Sequence, residues 1–150
     1  MTFLIYVKGI LFSTSYFRAM KNSKLLTLIV LGVVFWFIAA MTVKLSGNAV
    51  FTEHNFYRIL MLVAAFPISY ILVLISVKVA KLNKSEILNA VVIMTITATF
   101  LDGIALTWFR QFYAETFEIA LYGAAWILFG AGVGLLFGYV MNDETRKDKY

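Results

Sequence analysis

The chain contains no cysteine, one proline and one histidine in 150 residues, and only 14% of its residues are charged. Without cysteine there are no disulfides, thiolate nucleophiles or Cys-based metal sites, and the redox compartment leaves no trace in the sequence. A single histidine, His54, is too few for a catalytic zinc centre, even with Glu53, Glu115 and Glu118 on the same side of the chain. No HExxH, no GxSxG, no glycine loop after a strand and no paired intramembrane carboxylate occurs, so no enzyme class, metal or cofactor is expected. Scarcity of charge excludes a soluble chain of ordinary composition, in which about 25% of residues are charged.

Hydrophobic residues make up 62% of the chain, and the mean hydropathy is +0.87. Two uncharged runs of 19 residues stand out, Leu25–Val43 between Lys24 and Lys44, and Ile59–Val77 between Arg58 and Lys78. Each is long enough to cross a hydrocarbon core of about 30 Å as a helix. The first has the basic start and small residues (Ala39, Ala40) of a signal peptide, but it exceeds an h-region and further spans follow, so it reads as a retained anchor. Residues 87–109 and 118–141 supply two more apolar stretches. The expected fold is all-α, a four-transmembrane-helix antiparallel bundle with spans near 25–43, 58–79, 87–109 and 118–141. A polar connection is expected over 45–57, and Pro67 is expected to kink the second span.

Residues 1–24 admit three readings: an interfacial helix with Lys8, Arg18 and Lys21 toward headgroups, a mis-assigned start with Met20 opening the protein, or a disordered tail. Residues 142–150 read as a charged tail. Neither end suggests a second domain.

Four spans put both termini on one side of the membrane. That side collects Lys8, Arg18, Lys21, Lys24, Lys78, Lys81, Lys84, Arg146, Lys147 and Lys149; the other collects Lys44, Arg58 and Arg110. The positive-inside rule then makes both termini cytoplasmic, in a multi-pass protein of the cell (inner) membrane. The net charge of +5 is thereby assigned to topology; the expected partner is the lipid bilayer, and no nucleic acid.

One charge interrupts the third span. Asp102 lies about 22 Å along the helix from Ile87, inside the membrane and nearer its outer face. A carboxylate at such depth is unfavourable by about 2.5–3.5 kcal/mol or somewhat less, so it is expected to face a partner or a cavity. Thr95, Thr99 and Asp102 fall at i, i+4 and i+7, which predicts one polar face turned into the bundle. Asp102 can be held in an ion pair by Arg58 or Lys44, the planar guanidinium being the better fit. It can equally be a proton or cation site, with Thr95, Thr99 and Tyr70 along the path, or a carboxylate wetted from outside. In the fourth span Gly130, Gly134 and Gly138 recur every four residues, a spacing for close helix approach, either within one bundle or in a homo-oligomer. Most aromatic residues near the span ends, Tyr113 among them, read as interfacial anchors, while Trp36 and Trp126 lie deeper and read as packing residues.

Leu101–Asp102–Gly103, Phe112–Tyr113 and the glycine-rich fourth span together resemble an uncharacterised family of small bacterial four-helix membrane proteins, a domain of unknown function. The resemblance implies no activity and assigns no site residue. Two functions are therefore carried forward: a non-enzymatic accessory or regulatory membrane subunit, and a small oligomeric transporter built on Asp102.

Overall fold

The structure is a computed structural model that describes residues 22–142; the N-terminal stretch up to residue 21 and the charged tail from 143 lie outside the described residues. Among the described residues every regular element is a helix, and there is no strand. The elements are α1 (Asn22–Val50), α2 (Tyr57–Val79), a 3-10 turn (Lys84–Glu86), α3 (Ile87–Trp108), α4 (Arg110–Tyr113) and α5 (Phe117–Met141). Four of these helices are long and apolar enough to cross a membrane. Their outward faces carry large apolar side chains, among them Leu26, Ile38, Val63, Phe100, Leu128 and Val140, each more than half exposed. In water such a surface would be unfavourable at about 25 cal/mol per Å²; against lipid tails it is at home.

The first helix extends further than expected. It continues past Lys44 by nearly two turns, because Ser46 returns its hydroxyl hydrogen to the Thr42 carbonyl and Gly47 packs directly against Ile119. The connection shrinks to residues 51–56, where His54 takes a left-handed φ of 59° and the Asn55 side chain bonds the Ala49 carbonyl at 2.7 Å. The His54 ring is exposed to solvent beside Glu53. Pro67 lies within an uninterrupted α2 and is exposed on its outer surface.

Non-consecutive helices pack most closely. Beside α3, α1 is matched along its whole length: Lys24 Nζ to Glu86 Oε2 at 2.7 Å, Gly32 against Met94 and Thr97, Trp36 to Asp102, and Lys44 Nζ to the Gln111 carbonyl at 3.0 Å. Beside α5, α2 is matched likewise: Trp126 Nε1 donates to the Met61 carbonyl at 2.9 Å, Ser69 Oγ to the Gly130 carbonyl at 3.0 Å, and Tyr70 meets Phe137 edge-on. The two pairs join where side chains vanish. Gly123 lies so close under Val43 that a Cβ would overlap the valine methyls, and a Cβ on Gly138 would come within 3.1 Å of Val91.

Two separate cores result. One gathers Leu28, Val73, Ile87, Val91 and Met94, the other Val43, Phe51, Tyr113, Ile119 and Trp126. Between them the four long helices present small residues to one another, and a cavity of about 160 Å³ remains.

Candidate functional site

Asp102 sits where α3 nears its end, half-buried, and its Oδ1 accepts two hydrogen bonds. Trp36 Nε1 donates from α1 at 2.9 Å, and the Tyr113 hydroxyl donates from α4. The indole N–H is shared, since it also lies 2.8 Å from the Tyr113 oxygen. Three side chains from three helices thus close into a triangle around one carboxylate oxygen.

Local structure explains how Tyr113 reaches it. The α-helical run stops at Phe109, whose φ of −127° and ψ of 38° turn the chain, and the four-residue α4 folds back along the end of α3. Lys44 pins that fold by donating to the Gln111 carbonyl. Tyr113 is fully buried, and Phe112 stacks on the Trp36 ring with centroids 5.9 Å apart and planes 12° from parallel. Both donors aimed at Asp102 are therefore held by packing as well as by hydrogen bonds.

The expected ion pair is replaced by this arrangement. Arg58 lies over the Tyr122 ring, its guanidinium carbon 4.1 Å from the centroid, a cation–π contact on the α2–α5 side. Lys44 acts on the site through α4. Among the described residues no basic side chain forms an ion pair with Asp102.

The expected polar face also divides. Thr95 lines the central cavity, whereas Thr99 is exposed on the outer surface and donates its hydroxyl to the Thr95 carbonyl at 2.7 Å. At 3.6 residues per turn Thr99 and Asp102 stand about 60° apart around the helix, and that angle is enough to place only Asp102 against α1. Tyr70 is exposed too, away from any path through the middle. The three regularly spaced glycines have three different surroundings. Gly138 is buried under Val91, Gly130 offers its carbonyl to Ser69, and Gly134 faces open space in the cavity wall.

Trp36 and Tyr113 are the site residues that the sequence reading assigned to packing and anchoring. One signal could have found them. A buried indole N–H or phenol O–H needs a polar partner, and at this depth of an apolar bundle Asp102 is the acceptor within reach of both.

Trp36 has a second face. Its ring forms part of the wall of the central cavity, which also takes in Gly32, Ala65, Thr95, Ala98 and Gly134. The same residue borders an open groove at the end of the bundle that carries α4, formed with Ile104, Trp108 and Phe112. Trp36 therefore stands between the middle of the bundle and its α4 end, while its N–H holds Asp102.

A family described only as a family of unknown function, DUF5367, matches residues 50–145. That segment holds Asp102 and Tyr113 and leaves Trp36 outside. Neither a curated protein nor a solved structure matches the chain.

Proposed function

The chain belongs to DUF5367, a family of unknown function, and from that premise we propose that it is a non-enzymatic, multi-pass protein of the cell (inner) membrane. In this reading it works as an accessory or regulatory subunit through helix contacts. Four spans run in alternate directions with both termini cytoplasmic, as the excess of Lys and Arg on the terminal side supports.

The observation that carries the reading is the state of Asp102. Its carboxylate is engaged by Trp36 and Tyr113, and the contact fastens α1, α3 and α4 at one corner. Through Oδ1, Asp102 is in this reading committed to holding helices together. Reconstitution into proteoliposomes under an imposed proton, Na⁺ or K⁺ gradient tests this. The expected result is no flux above protein-free vesicles; flux that Asp102→Asn abolishes, with the helices intact, would overturn it.

One observation favours a second reading, a small oligomeric transporter. Asp102 lacks a basic counter-ion among the described residues, and Trp36 connects it to the central cavity. In that case Asp102 takes up the proton or cation and Trp36 swings to open the route. The same flux measurement decides between the two.

A further inference from the structure

The central cavity lies where all four long helices carry small side chains: Ala39, Ala65, Ala98, Ala131 and Gly134 line it, and a Cβ on Gly134 would meet nothing within 4 Å. The cavity is not sealed but opens between the helices, and its volume, about 160 Å³, is close to that of an apolar protein cavity of about 150 Å³ that takes up benzene. Water would find few partners here, because the wall is almost wholly carbon and holds no charged side chain.

Two hydroxyls reach the wall, and they differ. Ser69 is already committed to the Gly130 carbonyl. Thr95 is not. Thr27, Thr42, Thr97, Thr99 and Thr107 each donate to the carbonyl one turn back in their own helix. Among the described residues, Thr95 is the helical threonine whose hydroxyl has no hydrogen-bond partner, and it faces the cavity. A hydroxyl left open in an apolar cavity forfeits a hydrogen bond that a ligand could restore.

We propose that this cavity is a binding site for one small, uncharged, mainly apolar molecule with a single hydrogen-bonding atom, of the phenol class, anchored by Thr95 Oγ1. The flat Trp36 and Trp126 rings in the wall suit an aromatic body. Asp102 is not part of the wall; it stands behind Trp36, so a cation has no counter-charge inside. Occupancy would be felt at the α4 end through Trp36, which touches both the ligand and the carboxylate. This goes beyond the role proposed above and does not depend on whether ions cross.

The test is ¹⁹F NMR on the purified full chain in detergent, with 4-fluorophenol and fluorobenzene as probes. The wild type is expected to bind 4-fluorophenol about five-fold more tightly than fluorobenzene, the worth of one net hydrogen bond. Thr95→Val should erase that preference and leave fluorobenzene binding unchanged. Gly134→Leu and Ala98→Leu, which fill the cavity from two different helices, should abolish binding of both probes; should one fail to fold, the other decides. Equal probe signals in wild type and filled variants would mean micelle uptake alone and overturn the site. A preference for the phenol that survives Thr95→Val would overturn the anchor.

Discussion

Replacing Tyr113 by phenylalanine removes one oxygen and nothing else, which makes it the sharpest probe of the Asp102 triangle. The ring is fully buried and keeps its edge-on contact with Phe112, so packing is unchanged. What disappears is a donor to a carboxylate and an acceptor for the Trp36 N–H. Hydrogen bonds to charged groups contribute about 1.5–3 kcal/mol, whereas hydrogen bonds within membrane bundles average about 0.6 and reach about 1.7 kcal/mol. Tyr113 belongs near the upper membrane figure, because its loss leaves Asp102 with Trp36 as its remaining donor at a half-buried position. We expect Tyr113→Phe to lower stability by about 1.5 kcal/mol. Asp102→Asn should also destabilise, and the double variant should lose about 1 kcal/mol less than the two single losses together, as expected for groups in one network. Reversible unfolding by SDS in mixed micelles, followed by near-ultraviolet circular dichroism of the tryptophans, measures all three. A Tyr113→Phe effect below about 0.3 kcal/mol, or strictly additive losses, would refute the fastener.

Two further outcomes follow from other parts of the fold. The glycines of α5 should differ in sign. Gly123→Ala forces a methyl onto Val43 and should cost about 1–3 kcal/mol, partly relieved by Val43→Ala, while Gly134→Ala meets nothing within 4 Å and should be neutral or stabilising by up to about 1 kcal/mol in the same unfolding assay. Because the chain has no native cysteine, topology is open to single-cysteine labelling. Asn55→Cys should react with a membrane-impermeant maleimide added to intact cells and Lys81→Cys should not; the reverse pattern would invert the orientation.

The four long apolar helices were legible because hydrophobic length and flanking charge act locally: an uncharged, mainly apolar run of 19 residues is long enough to cross a membrane whatever surrounds it. Asp102 was legible for the same reason, as a lone charge in such a run. Its partners were not. Arg58 and Lys44 were reasonable by charge and depth, yet Arg58 rests on Tyr122 and Lys44 holds the turn that carries Tyr113. The glycine spacing was visible, but Gly123, Gly47 and Gly32 make close approaches that no regular motif marks.

By itself, then, the sequence determined the apolar character of this protein, its four segments long and apolar enough to cross a membrane, and the position of the carboxylate inside the third, since each depends on the transfer energy of a continuous segment. Only the tertiary structure decided that α1 lies along α3 and α2 along α5, that Phe109 turns Tyr113 back onto Asp102, and that small residues from four helices line one cavity. Those features depend on which helix faces face each other. Helices in lipid have no apolar preference to declare that choice in sequence, because the outward faces are as hydrophobic as the inward ones.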